Sequence, residues 1–589
     1  MSEKKSSVTN APPPPPPLPE NPKDARSYDQ WEEDVIVEYL RRQPEPTGPD
    51  SYEKAKENLI LAGRYKARIE VIVNNLPELV NRTDLKIADT LAEATWKRKV
   101  LLYRLFPINR MPVEILSNIF RFVVWSSVEA NQTNLLRLRM TWVCRHWRQV
   151  AIADQTLWNT IWFRDSAPFD RSLTFFDRAG TATIDLRINE SRRYYQTRDE
   201  QLKMTGPQME VVADILMTKV DQIRTLIVVV ESWPPILVLL ERLYRARTPT
   251  LLARVEIHRT GHPYSYPGPA YTSVEYHDAL RLCNGDAPSL NFLCLNGIHL
   301  NWDHSPMNNL TTLDLRRMPS YVAPSIARFR EVLRNSPNLR KLAIDGAGPE
   351  HKPEDTTDLG PPIDLLRLTT IVFGDVTPAY AIWFNAGIRA PNVRDLTLIN
   401  LIMGDYGPVL KFLTGRFPNV VVLTLFNIEV LQTAENLRSM TQWLLSMPIV
   451  QYLRIALLKP HLFAPFLIDG RFHAEDVPLN PTPEEVARVV SSGQRIAVFP
   501  ELSTLEFQHI PSAAIIGFVG RRKELGIPLD LVYINRVWLP QIKEEERKEL
   551  LAVVPTQVCL PAMSTPAEER LWTTYNYGPV IDSISRRAM

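Results

Sequence analysis

One pattern of apolar and polar positions recurs through most of the last two-thirds of the chain. Apolar residues occupy the first, fourth and sixth positions of an L-x-x-L-x-L motif, and the alternation over its second half predicts a short β-strand. The motif is found at Ile223/Leu226/Val228, Leu252/Val255/Ile257, Leu290/Leu293/Leu295, Leu310/Leu313/Leu315, Leu339/Leu342/Ile344, Leu368/Ile371/Phe373, Val393/Leu396/Leu398, Val420/Leu423/Leu425, Val450/Leu453/Ile455, Leu502/Leu505/Phe507 and Leu529/Val532/Ile534, and a related member is Ile184/Leu186/Ile188.

The spacing of these motifs predicts a repeated structural unit. Successive first positions lie 29, 38, 20, 29, 29, 25, 27, 30, 52 and 27 residues apart. Several of the intervening segments have the composition of helices: 325–334, 379–388, 409–417, 435–446 and 513–525. A unit of one strand and one helix cannot bury its own apolar face, so neighbouring units stack into a solenoid with parallel strands.

This repeat resembles the leucine-rich-repeat family over roughly residues 180–540. The resemblance implies an α/β solenoid with strands on its concave face and helices on its convex face. The asparagine that the family carries eight residues after the first leucine is absent, since apolar residues stand there: Met318, Val376, Leu401, Ile428, Leu458 and Ile510. We therefore expect irregular turns after the strands. The two longest intervals predict insertions at 260–280 and 459–500.

Residues 106–162 have helical periodicity and predict three short helices. The first is expected to begin at Pro112, with Glu114 in its first turn. Its apolar positions are Ile115, Leu116, Ile119, Phe120, Val123 and Val124. The second helix follows the polar segment 131–134, capped by Asn134, and the third contains Cys144 and Trp147. So much apolar surface indicates either a docking module or a three-helix corner of a larger core.

The order M-P-x-E-I-L-x-x-I-F, V-C-R-x-W and L-W resembles the F-box family, in particular its fungal F-box-like form. That resemblance implies binding to the Skp adaptor of a cullin–RING ubiquitin ligase. The adaptor-facing stripe that the resemblance implies consists of Pro112, Ile115, Leu116, Ile119 and Phe120. The residues expected to lock the three helices together and complete that surface are Val143, Cys144, Trp147 and Trp158. Met111 replaces the usual leucine before the proline, a nearly volume-conserving change that predicts little loss of binding.

The segments outside these two regions complete a prediction of five parts. Residues 1–50 hold 11 of the 49 prolines and are expected to be disordered or extended. Residues 51–105 predict a helical lead-in to the F-box-like domain at 106–165. The solenoid is expected at 180–540, followed by a capping helix and an irregular tail at 541–589.

Composition excludes several classes of function. The 68 basic and 66 acidic side chains nearly cancel, so no global field would recruit nucleic acid or membrane. Four cysteines without a C-x-x-C pair argue against a disulfide framework or zinc site and favour a reducing compartment, either cytoplasm or nucleus. Neither a signal peptide nor a membrane span is expected. Nucleotide-binding and hydrolase motifs are absent, His258 and His262 are not expected to bind metal, and no cofactor is predicted.

These observations together predict a non-enzymatic substrate-recognition subunit of an SCF-type ubiquitin ligase. The F-box would bind the adaptor within the cullin complex, and the repeats would bind an unknown target protein. Candidate target-binding residues are the outward positions of the strand motifs, namely Asp314, Arg316, Lys341, Asp345, Asp395, Arg454 and Glu506. The plainer interpretation of these side chains is that they form the solvated face of a sheet. A separate alternative for the protein is a leucine-rich-repeat scaffold outside any ubiquitin ligase, whose F-box-like helices pack only on its own solenoid.

Overall fold

The computed structural model describes residues 50–74, 90–91, 93–99, 101, 108, 111–125, 130–163, 165–190, 203–259, 280–318, 322–351, 360–459, 461–462, 498–535 and 542–559. The proline-rich segment 1–49, most of both predicted insertions and the tail after 559 lie outside them. The chain divides into two units, the first containing residues up to Asn159 with Asp177–Gly180, and the second containing Thr160–Phe176 and the chain from Thr181.

Helices make up the first unit. They include α1 (Asp50–Asn74), α2 (Val113–Trp125), α3 (Ala130–Val143) and α4 (Arg145–Ala153), and a 3-10 turn at Gln155–Leu157 follows α4. The polar segment 131–134 lies inside α3, so the prediction that Asn134 caps this helix is wrong. The helix begins at Ala130, four residues before Asn134, so Asn134 does not stand at the N-terminus where free N–H groups need a cap. Cys144 caps α4 instead, because its Sγ accepts the Trp147 N–H at 3.5 Å.

A parallel sheet of fourteen strands forms the second unit, in the order β1-β2-β3-β4-β5-β6-β7-β9-β11-β12-β13-β14-β15-β16. The strands are β1 (Thr160–Phe163), β2 (Ile184–Asn189), β3 (Ile223–Val230), β4 (Arg254–Arg259), β5 (Phe292–Asn296), β6 (Thr312–Arg316), β7 (Lys341–Asp345), β9 (Thr370–Gly374), β11 (Asp395–Leu401), β12 (Val422–Ile428), β13 (Tyr452–Ala456), β14 (Thr504–Gln508), β15 (Leu531–Asn535) and β16 (Thr556–Cys559). A separate parallel pair joins β8 (Ile363–Asp364) to β10 (Ile388–Arg389).

Helices alternate with many of these strands. They are α5 (Asp170–Arg178), α6 (Gly206–Met217), α7 (Pro234–Arg245), α8 (Ile326–Arg334), α9 (Pro378–Ala386), α10 (Gly407–Leu413), α11 (Ala434–Leu445), α12 (Ser512–Glu524) and α13 (Glu544–Val553). Five of them coincide closely with the segments predicted as helices. The fold is therefore mixed α/β and solenoid-like. Within the described ranges, no helix is both long enough and apolar enough to cross a bilayer.

The register of the sheet explains why the apolar motif repeats. The middle residue of each motif pairs with that of the next, as in Leu313 with Leu342 and Leu342 with Ile371. Their side chains are buried on the same face, and stacking them removes apolar area from water in every unit. The sheet extends beyond the predicted limits, since β1 precedes residue 180 and β16 follows α13.

Eight successive motifs share one backbone conformation after their apolar positions, so the expectation of irregular turns is wrong for these eight. In eight successive motifs the residue seven positions after the first apolar one has φ between 49° and 64°: Gly297, Arg317, Gly346, Asp375, Asn400, Asn427, Leu457 and His509. The Gly346 N–H donates to Gly374 O at 2.9 Å, and the Arg317 N–H to Asp345 O at 2.7 Å. The next residue, eight positions after the first apolar one, is apolar and buried in motifs such as that of Leu401.

Replacing Gly346 with alanine is expected to destabilise the second unit by about 1–2 kcal/mol, because an L side chain is strained in this left-handed conformation. The added Cβ would also lie 3.2 Å from Asp375 Oδ2. The matched control is Gly517→Ala in α12, where a Cβ meets no atom within 4 Å and helix propensity predicts a gain of about 1 kcal/mol. Thermal unfolding of both variants tests this, and shifts of the same sign would contradict it.

Candidate functional site

The candidate docking site is the apolar three-helix module that starts at the first turn of α2. Pro112 O accepts the N–H groups of Ile115 at 3.0 Å and Leu116 at 3.1 Å. The helix itself begins at Val113, one residue after the predicted start, and Pro112 lies at the position immediately before it. Glu114 lies in the first turn, where its charge favours the helix dipole.

Aromatic rings and one arginine fill the core of this three-helix module. The Phe120 and Trp147 ring centroids are 4.8 Å apart, which joins α2 to α4. Trp158 is buried and its Nε1 donates to Ala151 O at 2.7 Å. The buried guanidinium of Arg137 on α3 lies 5.5 Å from the ring centroid of Trp125. All three helices therefore share one core.

A carboxylate connects α2 to the end of α4. Arg121 Nε donates to Asp154 Oδ2 at 2.8 Å, and Ser117 Oγ donates to the same oxygen. Asp154 also accepts the Thr156 N–H at 3.0 Å and so begins the 3-10 turn. Burial raises the pKa of Asp154, but the hydrogen bonds from Arg121 and Ser117 outweigh it and leave the pKa below its ordinary value. The carboxylate therefore stays charged and holds the module together.

The wide apolar stripe predicted on α2 separates into two faces. Leu116, Phe120 and Val124 are fully buried on the inner face. On the outer face, Ile115 is 49% exposed, Ile119 is partly buried and Phe122 is 79% exposed. Those three residues follow the i, i+4, i+7 spacing of one helix surface, and we call them the outer stripe.

Burial changes the interpretation of the nine predicted adaptor-binding residues. Leu116, Phe120, Cys144 and Trp158 are buried in the module, so in this arrangement they are not available at its surface. Pro112, Ile115 and Val143 are exposed, and Ile119 and Trp147 are partly buried. Sequence reasoning missed Phe122, although its position seven residues after Ile115 was the signal. It also missed Trp142, which is 63% exposed at the end of α3.

The predicted target-binding residues lie on the sheet face opposite the stacked motif residues, and several are buried. Asp314, Arg316, Asp345 and Glu506 are buried, whereas Lys341, Asp395 and Arg454 are partly so. The alternative of a solvated face therefore fails for the first four. This face also contains an apolar cluster of Ala343, Val372 and Ile399, with Phe426 packed against it.

Five charged residues of this face form ion pairs with one another. Arg316 Nε lies 2.7 Å from Asp314 Oδ1, and Lys341 Nζ lies 3.1 Å from Asp314 Oδ2. Farther along the sheet, Arg454 Nε lies 2.9 Å from Glu506 Oε2, which also accepts the Tyr452 hydroxyl at 2.7 Å. Such pairing offsets the cost of removing charges from water.

Cysteine side chains are buried in both units. Cys144 lies in the helical module, and Cys283 and Cys294 belong to the sheet unit; all three are free thiols. Burial, with a smaller contribution from Asp286, raises the pKa of the Cys283 thiol to about 12. Burial also raises the pKa of Cys294 well above its usual range. Without a bound metal ion, the thiols of Cys283 and Cys294 are therefore protonated at neutral pH.

Comparison with protein families identifies the module. The F-box-like family matches residues 108–164, which contain α2, α3, α4 and the 3-10 turn. F-box proteins are generally adaptor subunits and not enzymes. No curated protein matches the chain.

Proposed function

We propose that this protein is a substrate-recognition subunit of an SCF-type ubiquitin ligase. The F-box-like module would bind the Skp adaptor, and through it the cullin complex, with the outer stripe and Pro112 at the contact. The single observation that carries this is the exposure of Ile115 and Phe122 on the outside of a helix whose inner face already fills the module core. Two apolar faces on one short helix indicate a partner as well as a core.

The exposure of the outer stripe also bears on the scaffold alternative. A scaffold whose F-box-like helices pack only within the chain would cover Ile115 and Phe122. Both side chains instead retain a large exposed area, which favours the adaptor-binding role.

The sheet unit would hold the target. We propose that it is a leucine-rich-repeat solenoid, which the aligned motif residues and the shared turn geometry support. Of the predicted target-binding residues, the partly buried Lys341, Asp395 and Arg454 retain surface for a partner. No reactive group is required here, because binding raises the local concentration of a target lysine near the ubiquitin-charged enzyme. This role places the protein in the cytoplasm or nucleus.

Co-purification with the host's Skp adaptor tests the proposal. Ile115→Asp is expected to abolish the complex and Phe122→Ala to weaken it at least about tenfold, because each loses a buried apolar contact of about 1.5–3 kcal/mol. The matched control is Val211→Asp on α6, since Val211 is 58% exposed and lies in the sheet unit. This control should bind like the wild type.

Two outcomes would contradict the proposal. A wild-type protein that forms no complex at micromolar concentration would favour the scaffold. A complex that survives Ile115→Asp together with Phe122→Ala would move the contact away from the outer stripe. Circular dichroism of each variant separates loss of binding from loss of folding.

A further inference from the structure

Four polar side chains on two adjacent strands of the sheet face one another. Glu256 of β4 pairs in register with Cys294 of β5, and His258 pairs with Asn296. Residues i and i+2 of a strand lie on the same face, so the four side chains lie on one face of the sheet, on neighbouring strands. All four are buried.

Three of these side chains have the donor atoms of a metal site. One oxygen of Glu256, one ring nitrogen of His258 and Cys294 Sγ all lie within 4.8 Å of one another. His258 Nε2 and Glu256 Oε2 are 3.2 Å apart, a separation that two ligands of one ion can have. Arg254 binds the other carboxylate oxygen, Oε1, and holds the side chain in place.

The fourth member has no polar partner. Asn296 is fully buried, yet neither its Nδ2 nor its Oδ1 makes a hydrogen bond. Buried amides in folded proteins are almost always satisfied, so an orphaned one calls for an additional ligand. A metal ion beside it could take Oδ1 directly or hold a water that bonds to the amide.

We propose that Glu256, His258 and Cys294 bind a zinc ion, with Asn296 at or next to the fourth position. Thiolate, imidazole and carboxylate together suit Zn²⁺, whereas Mg²⁺ and Ca²⁺ prefer oxygen ligands. Binding releases the thiol proton of Cys294 to solvent, and the sulfur donates an electron pair to the ion. The ion would link β4 to β5 across the 38-residue interval between their motifs. This inference is independent of adaptor binding.

Elemental analysis of the full-length protein, expressed with added zinc, tests the site. We expect one equivalent of zinc in the wild type and in the control variant Cys283→Ser, which removes another buried thiol. Cys294→Ser and His258→Gln are expected to lose the metal. After refolding with Co²⁺, the wild type should show a thiolate-to-cobalt charge-transfer band that Cys294→Ser lacks.

A variant that adds a ligand tests the site even if the variants that remove a ligand do not fold. Asn296→Asp supplies a charged oxygen to the ion and should slow the loss of metal to a chelator about tenfold or more. Refolding with chelator should lower the melting temperature of the wild type. The proposal would be overturned if the purified wild type contained no zinc and its melting temperature did not change when it was refolded with chelator. A full equivalent of metal in folded Cys294→Ser would also do so, because it would mark adventitious surface binding.

Discussion

Replacing Leu116 with aspartate is expected to unfold the F-box-like module. Leu116 has no exposed surface, so the change removes a buried side chain worth about 2–5 kcal/mol and places a carboxylate in the core without a partner. A three-helix module cannot absorb both costs, since whole domains are stable by only about 5–15 kcal/mol. Limited proteolysis with mass spectrometry should show new cleavage within 113–158, together with a loss of helical signal by circular dichroism.

The neighbouring residue supplies the control for this prediction. Ile115→Asp introduces the same charge one position earlier, where the side chain is half exposed and the carboxylate stays hydrated. It should leave the protease pattern unchanged while removing adaptor binding. A folded Leu116→Asp variant that still binds the adaptor would show that the inner face is not the core of the module.

Removing Asp314 is expected to destabilise the sheet unit by about 3–5 kcal/mol, because Asp314→Ala removes the carboxylate that pairs with the buried guanidinium of Arg316. Replacing both residues with apolar ones of similar size, Asp314→Leu with Arg316→Met, should recover most of that loss. Lys341 remains partly exposed in the double variant and can extend into water. Thermal unfolding of the single and double variants measures the effect. Equal losses of stability in the single and double variants would contradict this explanation. They would show that the attraction within the pair, and not the buried charge that remains in Asp314→Ala, determines stability.

The same carboxylate predicts a dependence on pH. Burial alone would raise the pKa of Asp314, but Arg316 and Lys341 outweigh it and lower the pKa far below its ordinary value of 3.8. The stabilisation is therefore complete above pH 3.8 and is lost as the pH falls towards the lowered pKa. Asp314→Asn should flatten the acid limb of a plot of melting temperature against pH.

The sequence predicted the sheet well because each motif carries its own apolar pattern. Leu313, Leu342 and Ile371 occupy the same position in successive units and stack as expected. The turns were harder to predict. The position with positive φ, seven residues after the first apolar residue of each motif, holds residues as different as Gly346, Asn427 and Leu457. Only glycine and asparagine signal that conformation in a sequence. The backbone bonds between neighbouring turns impose it on the other residues.

The candidate sites were only partly predictable because they depend on orientation and register. A stripe that includes both Ile115 and Leu116 cannot show which of the two faces inward until the other helices are placed. Glu256 and Cys294 are 38 residues apart, and only the pairing of β4 with β5 brings them together. The burial of Asp314 likewise follows from packing across neighbouring strands. The alternation of apolar and polar residues along a single strand carries no information about that packing.

The buried thiols give the protein an internal reporter of partial unfolding. Cys144 would react with an alkylating reagent only when the helical module opens, whereas Cys283 and Cys294 would react only when the sheet unit opens. Mass spectrometry of alkylated peptides could follow both events in one sample without an added probe. Protection of Cys144 by a bound partner would measure how strongly that partner stabilises the module.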